Sequence, residues 1–222
     1  NISQRRWTLF WFLGFVTHIL LDLMTTWGTQ VLWPNTTRLS LDALFIIDPL
    51  VTIPLLLGCC YAKWQKKWQP AAWGVGVTSI YLVFAVTAQS YMVEKFSKAF
   101  EYNSIVIESL LVRPTPFNTL YWGVTAQTPS ADLVMGYARL WDNEKIITFA
   151  NPLPQNKSII APLLGYQETN ELLNITKGYY SISEKKGNIV IHDARFGQLG
   201  GWSTPETNQF IFNYKFRICY RS

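Results

Sequence analysis

The chain has 222 residues, of which 49% are apolar, 15% aromatic and only 15% charged. That charge content is well below the roughly 25% of an average soluble domain. The deficit is uneven, because residues 1–93 hold three acidic and six basic residues whereas residues 94–222 hold eleven and thirteen. The net charge is +5, but the basic residues form no long run, which argues against nucleic acid as a partner. We predict a transmembrane part over 1–93 and an extramembrane domain over 94–222.

The first apolar segment, Trp7–Met24, approaches the ~20 residues that a spanning helix needs. It contains His18 and Asp22, which lie four residues apart and therefore on one face of a helix. An aspartate at the centre of a bilayer costs ~2.5–3.5 kcal/mol on insertion scales, which marks the pair as a candidate site. Imidazole and carboxylate at this spacing are typical of a metal-ligand pair or a proton-transfer pair. The alternative is a buried His–Asp hydrogen bond that joins two membrane helices.

Two further apolar segments follow, Leu41–Tyr61 and Ala71–Met92, so the sequence predicts about three membrane helices. Asp48 and Pro49 interrupt the first of these two segments. Proline at the first position of a helix and aspartate just before it favour a helix start, so we expect the helix to kink or restart there with Asp48 as its cap. We weigh this capping role equally with a role for Asp48 as third metal ligand or general base, because an aspartate among apolar membrane residues costs free energy.

Basic residues predict the orientation in the membrane. Arg5 and Arg6 precede the first segment, and three lysines in Lys63–Lys67 occupy the short loop between the second and the third. Under the positive-inside rule both lie in the cytoplasm. The residues after Met92 then lie outside, in a bacterial periplasm.

The extramembrane part favours strands. A short polar helix, Glu94–Tyr102, is followed by alternating or apolar runs and by one helical stretch, Ser158–Thr176. The runs predicted as strands are Ser104–Val112, Thr119–Thr125, Asp132–Trp141, Lys145–Phe149, Tyr179–Ser183, Asn188–Asp193 and Gln209–Tyr220. The predicted fold class is therefore α+β, with N-terminal transmembrane helices and a mostly antiparallel β domain.

A small cluster of polar residues near the end of one predicted strand is a second candidate site. His192, Asp193 and Arg195 together offer groups that could bind an anion. Alternation along a strand places His192 and Asp193 on opposite faces. It favours instead an ion pair between Asp193 and Arg195, which share one face. We interpret the outer domain as a support or recognition module.

The first half of the chain also resembles a known family. The resemblance rests on the string Thr17–Gln30, which contains the H-x-x-x-D pattern, and on Leu32–Pro34 after it. Phe45–Leu50 and Arg113–Asn118 fit longer members that carry a C-terminal extension. These strings resemble the membrane-bound metal-dependent hydrolases, the YdjM-like, LexA-regulated inner-membrane proteins. The similarity covers about the first 125 residues well.

The resemblance implies a divalent-metal hydrolase in the bacterial inner membrane, with His18 and Asp22 as metal ligands. Imidazole with carboxylate suits zinc or manganese, and Asp48 would accept the proton of a metal-activated water. A lipid or lipid-linked phosphoester is the expected substrate, since the bilayer delivers it. Family members carry an earlier histidine-rich motif, and nothing before Trp7 contains histidine. We therefore expect an N-terminally truncated fragment that is inactive alone.

An alternative hypothesis, from a different functional class than an enzyme, is a non-enzymatic inner-membrane scaffold. In that interpretation His18, Asp22 and Asp48 form a structural polar cluster, and the outer domain binds a protein partner.

The orientation can be tested by cysteine labelling in a background where the three native cysteines are replaced by serine. A cysteine at Ser222 should react with a membrane-impermeant maleimide in intact cells, because the C-terminus is predicted to be periplasmic. A cysteine at Gln65, beside the lysines, should react only after lysis. The reverse pattern would overturn the orientation.

Overall fold

A computed structural model describes residues 3–35, 37–185, 188–198, 200 and 209–217. Five α-helices lie in these ranges: α1, Gln4–Met24; α2, Pro49–Gln65; α3, Gln69–Tyr102; α4, Lys157–Ile160; and α5, Gln167–Ile175. Seven strands lie there too: β1, Ser109–Pro114; β2, Tyr121–Gln127; β3, Asp132–Arg139; β4, Leu153–Pro154; β5, Tyr180–Lys185; β6, Asn188–Gln198; and β7, Phe210–Arg217. The predicted α+β class is confirmed.

The strands form two sheets, with the orders β1-β2-β3-β4 and β5-β6-β7. Neighbours pair antiparallel in β2–β3, β3–β4, β5–β6 and β6–β7. The chain divides into two compact units, here called the helical unit and the sheet unit. The helical unit is Asn1–Gln89 with Pro114–Thr119, and the sheet unit is Ser90–Arg113 with Leu120–Ser222.

Among the described helices two, α1 and α3, are long and apolar enough to cross a membrane. They contain 21 and 34 residues, and Met24 is the buried residue of α1. A helix that is apolar around most of its circumference and not covered by protein is typical of a membrane span.

The expectation of one continuous helix over Leu41–Tyr61 is wrong, because the helix in this region begins only at Pro49. The described residues therefore contain two candidate spans, α1 and α3, and not the three that the sequence predicts. The resulting α2 has 17 residues, about 26 Å at 1.5 Å per residue. Asp48 precedes it in an extended conformation, and its Oδ1 accepts a hydrogen bond from the Leu50 N–H at 2.8 Å. The predicted helix start, with Asp48 as its cap, is confirmed.

The expectation of a separate polar helix over Glu94–Tyr102 is also wrong. That stretch continues α3, because no glycine or proline follows Gly76 within the helix and a Glu94–Lys98 ion pair of 2.6 Å supports the next turn. Met92, Phe96 and Phe100 repeat every four residues and are buried in the sheet unit. The fall in hydropathy at Glu94 therefore marks a change of surroundings within one helix.

Two predictions in the sheet unit also need correction. Lys145–Phe149 is predicted as a strand, but Asn143 accepts a hydrogen bond from the Lys145 N–H at 2.9 Å and caps a 3-10 turn, Glu144–Ile146. The helical stretch Ser158–Thr176 divides into α4, a 3-10 turn over Ala161–Leu163, and α5 after Gly165. The last three residues of the predicted strand Gln209–Tyr220 lie outside the described residues.

Apolar side chains of both sheets form the cores of the sheet unit. One core is built by residues of β1, β3, β6 and β7 with Tyr179: Leu111, Leu133, Met135, Tyr179, Ala194 and Phe210. In a second core, Ile160 and Leu172 of α4 and α5 pack on β5 and β6, where Ile182 and Ile191 are fully buried. The β5-β6-β7 sheet thus has one face covered by helices.

Helices α2 and α3 run antiparallel and make a close backbone contact. Asp48, at the start of α2, contacts Tyr81, whereas Gly58, later in α2, contacts Gly74, which comes earlier in α3. A Cβ atom on Gly74 would lie 2.6 Å from the Pro54 carbonyl oxygen, and one on Gly58 would lie 2.8 Å from that of Pro70. Small residues allow such contacts between membrane helices.

Replacing Gly74 with alanine should destabilise the helical unit by about 1–3 kcal/mol, since the added methyl group overlaps backbone that has no freedom to rotate away. Gly76→Ala is the matched control, because its Cβ would meet nothing within 4 Å. In that position alanine should be neutral or stabilising through its higher helix propensity. Thermal unfolding in detergent micelles measures both, and equal melting temperatures would contradict the close contact.

Candidate functional site

The sequence-predicted residues of the helical unit line one cavity of about 390 Å³. It lies at the end of α1, beside the connection to α2 and the first turn of α2. Its lining residues come from these three places: His18, Leu21, Asp22, Thr25, Trp27, Gly28, Leu44, Phe45, Ile46, Asp48, Val51 and Thr52. His18, Asp22 and Asp48 therefore face one space.

The connection between α1 and α2 brings these residues together. It leaves α1 at Thr25 and returns so that the Leu41 N–H bonds to the Leu23 carbonyl at 2.7 Å. The Ala43 and Leu44 N–H groups both bond to the Met24 carbonyl at 2.9 Å. Because the last carbonyls of a helix have no partner within it, this return satisfies those of Leu23 and Met24 and places the start of α2 next to the end of α1.

His18 and Asp22 form a contact pair at the rim of the cavity. The His18 Nε2 and Asp22 Oδ2 atoms are 3.5 Å apart, as expected for positions i and i+4. Their side chains are 73% and 47% exposed. The pair is therefore not the buried hydrogen bond between helices that was one interpretation of the sequence. It presents one nitrogen and one oxygen donor toward open space.

Asp48 has a different environment, since only 3% of its surface is exposed. While Oδ1 caps α2, Oδ2 accepts a hydrogen bond of 2.6 Å from the Tyr81 hydroxyl of α3. The Tyr81 oxygen also lies 3.2 Å from the Thr119 Oγ1. A buried carboxylate needs such donors to stay charged, so this network holds Asp48 in one orientation.

Tyr81 and Thr119 were not identified from the sequence. Tyr81 lies in the predicted span Ala71–Met92 and looks like one more aromatic residue there. The available signal was chemical: a buried aspartate requires a donor from another segment, and Thr78 and Tyr81 are hydroxyl donors of the facing helix. Thr119 follows the Arg113–Asn118 string of the family resemblance.

The donor set offers two ligands for a metal ion. The described part of the chain contains no group of three His, Cys, Asp or Glu residues placed to hold one ion. His18 and Asp22 are in chelating position, whereas both Asp48 oxygens already accept hydrogen bonds. A catalytic zinc has three protein ligands, so the pair supplies only part of such a site.

The residues of the second candidate cluster separate in the way that strand alternation predicts. Asp193 and Arg195 form an ion pair of 2.7 Å with both side chains fully buried, so the predicted same-face pair is confirmed. His192 bonds instead to side chains of the neighbouring strands, Ser183 and Asn213. The three residues therefore do not form one anion site.

The helical unit contains α1 and most of α3, the two candidate membrane helices, together with a cavity lined by imidazole and carboxylate groups. Residues 1–92 match the model of the YdjM inner membrane protein family. No curated protein and no solved structure matches the chain. The matched residues include the whole cavity lining.

Tyr81→Phe should destabilise the helical unit by about 1–3 kcal/mol, because it leaves a buried carboxylate oxygen without its donor. Tyr61→Phe is the control, since the Tyr61 side chain is half exposed. Thermal unfolding in detergent measures the difference. In Asp48→Asn the Tyr81→Phe substitution should cost less, and equal costs in both backgrounds would exclude the coupling.

Proposed function

We propose that the protein is a membrane-embedded metal-dependent hydrolase whose site is the cavity lined by His18, Asp22 and Asp48. The observation that carries the proposal is that one imidazole and two carboxylates face one space of about 390 Å³. The cavity belongs to the part of the chain that matches an inner-membrane family. Polar and ionisable groups among membrane helices mark functional sites by default.

In the proposed site His18 and Asp22 hold a divalent ion. Their donor atoms are 3.5 Å apart and accessible, so one ion can contact both without a change of the helix. Mixed imidazole and carboxylate ligands suit zinc or manganese. A further ligand has to join them, and we propose that a segment preceding Arg5 supplies it.

Asp48 is the proposed proton acceptor. A divalent ion, when bound, supplies a water of lowered pKa. The Asp48 carboxylate is fixed by the Leu50 N–H and the Tyr81 hydroxyl, which leaves lone pairs of a charged and oriented group at the cavity wall. In this role Tyr81 positions Asp48, and Thr119 in turn contacts Tyr81.

The proposed substrate is a lipid or a lipid-linked phosphoester. The cavity lies where α1 ends, so an amphipathic molecule held in the bilayer can present its headgroup there. Arg5 and Arg6 lie at the other end of α1, and Lys66 lies in the turn that follows α2. Under the positive-inside rule these basic residues favour a cytoplasmic location, which supports a multi-pass topology in which the 17-residue α2 returns the chain across the bilayer. In this proposed topology the cavity and the C-terminal domain lie on the periplasmic side.

A second candidate function is a non-enzymatic scaffold of the inner membrane. One specific observation favours it: both Asp48 oxygens are used in structural hydrogen bonds, to the α2 N-terminus and to Tyr81. In that case the cluster stabilises the helix junction, and the sheet unit binds a partner.

Metal analysis of the full-length natural protein separates the two candidates. Purified in detergent and dialysed against zinc or manganese, it should retain about one ion per chain, and His18→Ala or Asp22→Ala should lose it while membrane insertion stays normal. Asp42→Asn is the control, because Asp42 lies outside the cavity lining and its backbone φ of 52° suits asparagine. Asp48→Asn should keep the ion and lose hydrolysis of a fluorescent lipid phosphoester. Wild-type protein without bound metal would favour the scaffold.

A further inference from the structure

Three polar side chains form a hydrogen-bonded row across the β5-β6-β7 sheet. The Ser183 Oγ of β5 lies 2.8 Å from the His192 Nε2 of β6. On the other side of the imidazole, His192 Nδ1 is hydrogen-bonded to Asn213 Oδ1 of β7. The order is hydroxyl, imidazole and amide oxygen, and both ring nitrogens are hydrogen-bonded within the row.

Strand pairing explains why these residues meet. His192 is directly opposite Asn213 in β7 and opposite Ser181 in β5. Ser183 lies two residues beyond Ser181 and therefore on the same face. The opposite face carries Ile182 and Ile191, which are buried against α4 and α5. The polar row therefore lies on the face away from these helices.

The contacts of Asn213 define the tautomer of His192. The Asn213 Nδ2 donates to the Phe210 carbonyl at 2.9 Å, which turns Oδ1 toward the imidazole. An amide oxygen only accepts hydrogen bonds, so Nδ1 carries the ring proton and Nε2 is the acceptor nitrogen. Ser183 is then the donor to Nε2. The Phe210 ring stacks on the imidazole at 5.0 Å between centroids and fixes its plane.

We propose that Ser183 is a nucleophile for ester substrates, with His192 as its general base and Asn213 as the group that orients the base. A nucleophile hydrogen-bonded to a base that is oriented by a third group is the common signature of covalent catalysis. Asparagine fills the third position in known Cys–His–Asn sites. Ser183 and His192 are half-buried and Asn213 is exposed, so a small ester reaches the hydroxyl.

The proposed reaction has two balanced steps. The Ser183 Oγ bonds to the ester carbonyl carbon while its proton passes to His192 Nε2; the bond to the alcohol oxygen then breaks, and Nε2 returns the proton to that alcohol. The product is an acyl-Ser183 ester. Water attacks this ester, gives its proton to Nε2, and releases the carboxylic acid as Oγ regains the proton. This activity is independent of the cavity in the helical unit.

The test uses the full chain in detergent with a fluorophosphonate probe, which replaces its fluoride with the serine oxygen. We expect an adduct on Ser183, located by mass spectrometry of the digested protein, and hydrolysis of p-nitrophenyl acetate. Ser183→Ala should abolish both, and His192→Gln should slow both by at least about 100-fold, the usual contribution of a general base. Asn213→Asp should accelerate labelling, because a carboxylate stabilises the imidazolium better than an amide does.

Ser181→Ala is the matched control, since the Ser181 hydroxyl donates to the Pro154 carbonyl at 2.9 Å. Its labelling should equal that of the wild type. Circular dichroism of each variant checks the fold, and the position of the adduct in the wild type does not depend on any variant. A wild-type protein that stays unlabelled, or carries the adduct on other serines, would overturn the proposal and leave the row as a structural cross-strand contact.

Discussion

The burial of the Asp48 carboxylate is the constraint on which the helical unit depends. A charged group with 3% of its surface exposed is stable only with donors on its oxygens. One donor is the backbone of Leu50, which fixes where α2 begins, and the other is the Tyr81 hydroxyl, which fixes how α3 lies beside α2. The same carboxylate lines the cavity. Helix start, helix packing and site geometry therefore share one side chain.

The close contact of Gly58 and Gly74 acts together with this hydrogen bond. The two contacts lie about two to three helical turns apart, since Gly58 is ten residues after Asp48 and Gly74 is seven residues before Tyr81, so they fix the separation of the helices at two points. Apolar packing alone distinguishes poorly between helix registers in a membrane, where lipid tails compete equally well. A buried carboxylate at one point and a backbone contact at the other select a single register.

Local chemistry made part of this structure predictable from the sequence. Asp48 before Pro49 marks a helix start wherever it occurs, and the spacing of His18 and Asp22 places them on one face of any helix. The Asp193–Arg195 pair follows from strand alternation alone. What the sequence could not indicate was contact between distant segments, such as Tyr81 with Asp48, which are 33 residues apart.

Hydropathy was a poor guide where helix propensity and surroundings disagree. The change at Glu94 suggested a new element, yet α3 continues to Tyr102 because its residues remain good helix formers. In Lys145–Phe149 the alternation suggested a strand, but the cap at Asn143 is a stronger local interaction. The row of Ser183, His192 and Asn213 required the register of three strands, which no single segment encodes.

The return of the chain to the end of α1 has a consequence for how deeply that end can lie in a bilayer. A helix terminus normally needs water near its last carbonyls, and this requirement holds it at the headgroup level. Here the N–H groups of Leu41, Ala43 and Leu44 replace that water. The vertical position of the α1 terminus is therefore set by side chains such as Asp22 and not by backbone hydration. When membrane thickness changes, this end can move while the Leu23 and Met24 carbonyls keep their hydrogen bonds, and the energetic cost falls on its side chains.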